Sequence, residues 1–165
     1  DLQFSVSLRQ MPLSTVFIEK LPKILGILSQ FILPELRKKG AQRLSLGLTI
    51  CGDKKMRSLN KNYRSIDKTT DVLSFPIFDN LRLCEEELFG PVELGDIIVS
   101  WPKVVAQAKE FHISLEQEFV HLIVHGYLHL LGYDHEISRN EEAIMEKYEQ
   151  KLINKIYKEF RWSKK

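Results

Sequence analysis

The chain has 165 residues, 44% hydrophobic and 28% charged, and its 24 basic and 22 acidic side chains leave a net charge of +2. That length suits one domain with one core, so residues 1–165 read as a single domain. The near balance of charge excludes a chain held on nucleic acid by bulk positive charge, although it leaves room for a local basic groove.

The first predicted element is a strand over Leu2–Leu8, where Leu2, Phe4, Val6 and Leu8 alternate with polar residues. Ser14 is placed to cap a helix from Thr15, with Phe17, Leu21, Ile24, Leu25, Leu28 and Ile32 at helical spacing. Pro22 and Pro34 interrupt that pattern and blur its limits. Leu44, Leu46, Leu48 and Ile50 alternate as a second strand. Asp53 is a candidate cap for a short helix through Met56, Leu59 and Tyr63.

A polar loop, Arg64 to Asp71, leads into a third strand through Val72, Leu73, Phe75 and Ile77. Pro76 in it implies an edge position or a strand end. Asn80 to Pro91 reads as an acidic surface loop, and Leu94 to Ser100 as a fourth strand. Three helices follow, over about Pro102–Phe111, from Ser114 to Gly132, and over about Ser138–Phe160. Ser114 with Gln117 forms a capping-box pattern. The expected fold is one α/β domain: a small mixed sheet of about four strands with about five helices, the helix before Gly132 central.

No apolar run reaches the roughly 18 residues of a membrane span. The nearest candidate, Leu21 to Leu36, is broken by Pro22, Gly26, Pro34 and Glu35. No signal peptide of the usual form stands at the start, so a cytoplasmic protein is expected, with no membrane partner. Cys51 and Cys84 lack CxxC spacing and read as two reduced thiols.

Four of the five histidines fall between positions 121 and 135. His125 and His129 are four apart, so on a helix they share a face about 6 Å apart along the axis. Two such imidazoles can reach one zinc ion at about 2.0–2.1 Å. Gly132 suits a left-handed helix end, after which the chain turns and His135 comes back toward the pair. The His-x3-His-x5-His spacing is that of the metzincin metalloproteases, and it supplies three nitrogens while leaving a fourth position open.

His121 lies on the same face, but about 12 Å of helix rise separates it from His129, so it reads either as a core histidine or as one supporting a ligand from outside, and not as a ligand itself. His112 reads as a surface or helix-end residue. Asp134 either holds a ligand ring by a hydrogen bond or serves the turn. In the HExxH hydrolases a glutamate follows the first histidine and takes a proton from water. Here that position is Gly126, which argues against a peptidase. Phosphodiester cleavage suffers less from its loss, because it relies on an acidified water and on positive charge at the phosphoryl oxygens.

The segment His125-Gly-Tyr-Leu-His129-Leu-Leu-Gly132-Tyr-Asp-His135 resembles the HGxLHLxGYDH signature of the YbeY family of rRNA-maturation endoribonucleases. Asn62-Tyr-Arg64, Asp67 and Thr70-Asp-Val-Leu-Ser-Phe-Pro76 resemble the family's NxxYRxxDxPTDVLSFP region, and Leu94-Gly-Asp-Ile97 its LGDI strand. The likeness spans roughly residues 45–150. Thr69 departs from it, standing where the family usually has a proline that would stiffen the loop.

The resemblance implies a zinc-dependent, single-strand-specific endoribonuclease acting in rRNA 3′-end maturation, ribosome biogenesis and ribosome quality control. It carries His125, His129 and His135 over as ligands of one Zn²⁺, though imidazole suits other divalent metals as well. Arg64 carries over as the functional, catalytic arginine near the metal. Asp71 and Ser74 either line that cavity or serve strand capping and packing. The implied partners are single-stranded RNA, rRNA above all, and ribosomal proteins or ribosome-associated factors.

Candidate phosphate contacts are Arg37, Lys38, Lys39 and Arg43, then Lys54, Lys55, Arg57 and Lys61, and the tail from Lys151 to Lys165. Two other readings remain: a non-catalytic rRNA- or ribosome-binding factor pinned by zinc, and a metzincin-like peptidase.

Overall fold

The computed structural model describes residues 5–7 and 13–163. Of the strand expected over Leu2–Leu8, Ser5–Ser7 forms β1; its flanking residues lie outside the described part. The remaining elements are α1 (Thr15–Lys38), β2 (Ala41–Cys51), α2 (Asp53–Arg64), β3 (Val72–Pro76), β4 (Gly90–Ser100), α3 (Trp101–Glu110), α4 (Leu115–Leu130) and α5 (Arg139–Phe160). The sheet order is β1-β2-β4-β3, with β1, β2 and β4 parallel and β3 antiparallel to β4. Among the described residues, the four strands and five helices match the α/β expectation.

Ser14 Oγ accepts the amide of Phe17 at 3.2 Å and starts α1 where the sequence suggested. Pro22 and Pro34 both lie inside that helix without ending it. Both are exposed, so solvent can take up the carbonyls that lose a partner. β2 begins at Ala41, three residues before its alternation, because its backbone pairs with β4 from Ala41↔Gly90 onward. Ladder bonds do not depend on the exposed Gln42 and Arg43 side chains.

Two expectations need correction. Gly52, not Asp53, is the N-cap of α2. Asp53 instead accepts hydrogen bonds from Ser100 Oγ and Thr69 Oγ1, each at 3.2 Å. Thr69 thus ties the loop down by its hydroxyl at the position where a proline ring was missing. Asn60 Nδ2 donates to Lys68 O at 2.8 Å and adds a second tie. The segment after β3 is also not simply a surface loop. Leu81–Leu83 forms a 3-10 turn, and Leu81 and Leu88 are buried, because leucines gain more from the core than the loop's charges cost.

α4 is fixed at its start, along its length and at its neighbours. Ser114 and Gln117 make the reciprocal capping box at 3.0 and 3.1 Å. Phe119, Val120, Ile123, Val124, Tyr127 and Leu128 are buried around its circumference, the pattern of a helix inside a core. It packs on β3 and β4 and against α3 and α5. The buried Tyr127 hydroxyl donates to Leu28 O at 2.9 Å and pins α4 to α1.

Candidate metal centre and its cleft

The last two turns of α4 carry His125 and His129. Gly132 then takes φ +92°, and a Cβ there would come within 2.7 Å of Asn80 Cα. Only glycine suits both the conformation and the space. The amide of Tyr133 donates to Leu128 O at 3.1 Å and that of Gly132 to His129 O at 3.0 Å, closing the helix end. Tyr133 packs against Phe31 and Tyr148, with the Arg82 guanidinium 4.5 Å over its ring. Arg82 also pairs with Glu141 of α5. These contacts set the turn that returns His135 to the helix.

The three rings meet with centroids 4.8, 5.1 and 5.2 Å apart. One candidate ligand nitrogen from each lies within 4.8 Å of the others. His125 Nε2 and His129 Nε2 are 3.2 Å apart. Two bonds of about 2.0–2.1 Å at a tetrahedral angle would place such nitrogens about 3.3 Å from each other.

The donor chemistry fits a cation. His125 Nδ1 is 3.0 Å from Glu149 Oε1 of α5; a carboxylate there accepts from Nδ1, which leaves Nε2 as the nitrogen turned toward the other two rings. Burial, with help from His125 and His135, pushes the pKa of His129 down to about 4, so that ring is neutral at pH 7. His135 Nδ1 is buried with no hydrogen-bond partner among the described residues. Three converging imidazoles are positioned to hold a metal ion.

A cleft of about 690 Å³ opens at the three histidines and is also lined by Arg64, Asp71 and Ser74. Arg64, the last residue of α2, lies 3.3 Å from Glu136 Oε2 through its Nη2. The topology therefore brings the arginine singled out in the sequence to the histidines. Asp71 and Ser74 reach the same cleft but are occupied with structure. Asp71 accepts from the Val72 amide at 2.8 Å, Gln107 Nε2 at 3.0 Å and Thr70 Oγ1 at 3.2 Å. Ser74 Oγ donates to Gly126 O at 3.2 Å.

Of the two roles open to Asp134, the structure selects the turn. Its Oδ1 accepts the Glu136 amide at 2.8 Å. The carboxylate on a ligand ring is Glu149, which the sequence reading passed over. Its one signal was a charge in the apolar stripe of α5, between the buried Met145 and Leu152. His121 is packed as expected: Nε2 is 2.9 Å from the Tyr157 hydroxyl, with the rings stacked at 5.8 Å. His112 sits exposed just past α3 at φ +54°.

Gly126 does not face the cleft. A Cβ there would lie 2.9 Å from Ile97 Cγ2 and 3.0 Å from Ser74 Oγ, which are paired neighbours in β4 and β3. The position of the protease glutamate is thus pressed against the sheet, where a carboxylate has no space.

A family model for Endoribonuclease YbeY matches residues 18–157. The chain belongs to the YbeY family. It is 42% identical over 120 residues to Endoribonuclease YbeY of Caldicellulosiruptor saccharolyticus, covering 68% of this chain and 73% of that protein. The counterpart from Thermodesulfovibrio yellowstonii is 38% identical over 142 residues, covering 84% and 86%. That from Aquifex aeolicus is 43% identical over 119 residues, covering 72% and 75%. Among solved structures, TM1509 from Thermotoga maritima superposes with a TM-score of 0.57 at 26% identity, over 98% of this chain and 92% of that one.

Proposed function

We propose that this YbeY-family endoribonuclease is zinc-dependent, cuts single-stranded RNA, and acts in rRNA 3′-end maturation, ribosome biogenesis and ribosome quality control. The observation that carries the reading is the convergence of His125, His129, His135 and Arg64 on one cleft. The three histidines hold the ion, and a zinc ion so held supplies Lewis acidity toward water and phosphate. Arg64 offers a planar, permanently charged donor fork to a phosphate, and is the residue we assign to catalysis.

α2 supports an approach path for the strand. Lys54, Arg57, Lys61 and Arg64 recur at three- and four-residue spacing, so they share a face that ends at the cleft. Asp67 pairs with Arg57 and Lys61 and partly offsets that charge. Among the other basic candidates, Lys38 pairs with Glu35 and Lys39 Nζ bonds Cys84 O, while Lys164 and Lys165 lie outside the described residues.

Residues 1–165 act as one domain in this reading, with ribosomal proteins or associated factors as partners. A cytoplasmic site of action is consistent with the described residues, none of whose helices is long and apolar enough to cross a membrane.

The test is cleavage of an end-labelled single-stranded RNA carrying an rRNA 3′ extension. Cutting should stop on chelation, return with zinc, and be absent in His129→Ala. RNA that is bound but never cut would favour a non-catalytic rRNA-binding role. Cutting that survives in His129→Ala would overturn the assignment.

A further inference from the structure

We infer that Glu149 is a positioning residue of the metal centre: its carboxylate holds the His125 ring so that Nε2 presents its lone pair to the ion. The inference rests on the reading of His125, His129 and His135 as ligands. Glu149 Oε1 lies 3.0 Å from His125 Nδ1, and the two side chains are only 24% and 30% exposed. The carboxylate accepts and never donates, so the contact selects one tautomer and one ring orientation. The nitrogen left for the ion is the one 3.2 Å from His129 Nε2.

Placement argues that the contact has a purpose. Met145 and Leu152 flank Glu149 on one face of α5 and are both buried. An apolar residue at 149 would continue that stripe, and a half-buried carboxylate costs free energy unless it is paired. The other acidic residues nearby do not serve. Asp134 is engaged by its own turn. Glu142 and Glu146 line a recess of about 160 Å³ together with His125 and His135. Among the described residues, neither makes a hydrogen bond to a ligand ring. α5 therefore presents a negative wall to the ligands, and Glu149 is the member that touches one.

Such an outer carboxylate makes the ligand more basic and spares the cost of orienting it, and its loss typically weakens metal binding about 10–100-fold. The experiment uses the full chain, stripped of metal, as wild type, Glu149→Gln and Glu149→Ala. Zinc affinity is read by competition with a chromophoric chelator, and the visible spectrum is recorded after cobalt loading.

Glu149→Ala should bind zinc about 10–100-fold more weakly and give an altered cobalt spectrum. Glu149→Gln, whose amide oxygen can still accept from Nδ1, should recover part of the affinity. Metal-free melting temperatures should agree within a few degrees across the three proteins. Zinc affinities within twofold of wild type, or a loss matched by unfolding of the metal-free variants, would overturn the positioning role. A wild type that binds no divalent ion would overturn the metal centre and this role with it. None of these readouts depends on RNA cleavage.

Discussion

His125 Nε2 and His129 Nε2 stand 3.2 Å apart, one helical turn from each other, and burial keeps the second ring neutral at pH 7. A divalent ion between them would turn that contact into two bonds. Binding to the folded state alone then raises stability, by about 4 kcal/mol at a thousandfold excess over Kd. Chelation should lower the melting temperature by on the order of 10 °C. His129→Ala should abolish that difference. A wild-type melting curve indifferent to chelator would count against the centre.

Gly126 lets α4 sit close on the sheet, and filling that space should be costly. Gly126→Ala pushes a methyl toward the fully buried Ile97 and toward Ser74. Overpacking of this kind costs about 1–3 kcal/mol, against which the helix propensity of alanine returns at most about 1. Gly126→Glu should cost more, since it also buries a charge, and should create no peptidase. Urea denaturation measures both. A stable Gly126→Glu protein that hydrolysed peptides would refute the packing argument.

Arg64 and Glu136 form an ion pair at 3.3 Å, with side chains 48% and 61% exposed. A pair this wet contributes under about 1 kcal/mol, so Glu136→Gln should leave the melting temperature nearly unchanged. It frees the guanidinium for phosphate and should tighten RNA binding most at low salt. Arg64→Ala should reduce cleavage by about 10²-fold or more. Fluorescence anisotropy across a salt series, paired with cleavage rates, distinguishes the two effects.

Asp71 predicts an acid sensitivity. Burial raises the pKa of its carboxyl, but hydrogen bonds from Gln107, Val72 and Thr70 outweigh burial and hold it below the ordinary value. The unfolded chain then binds the proton more readily than the folded one. Stability from this residue is full above the unfolded pKa of about 4 and is lost as pH falls through the folded value. Asp71→Asn should be less stable at pH 7 and should show a shallower loss of stability below about pH 4. Parallel acid limbs for the two proteins would rule this out.

Local pattern carried most of the fold. Ser14, Ser114 and Ser138 each cap a helix through a side-chain hydrogen bond to a nearby amide, and such bonds depend only on near neighbours. Apolar patterning located the cores of β2, β3 and β4 for the same reason. What failed were features set by distant partners. The early start of β2 follows from its pairing with β4, and the burial of Leu81 from contact with a core built elsewhere.

The ligand set follows the same division. The sequence alone determined that His125 and His129 share a helical face and that Gly132 turns the chain before His135, since both follow from backbone geometry over ten residues. Only the tertiary structure decided which groups surround them. Glu149 arrives on α5 and Arg64 on α2, while β3 and β4 close off Gly126. Those relationships run between segments far apart in the chain, and packing of the core, not local periodicity, brings them to one cleft.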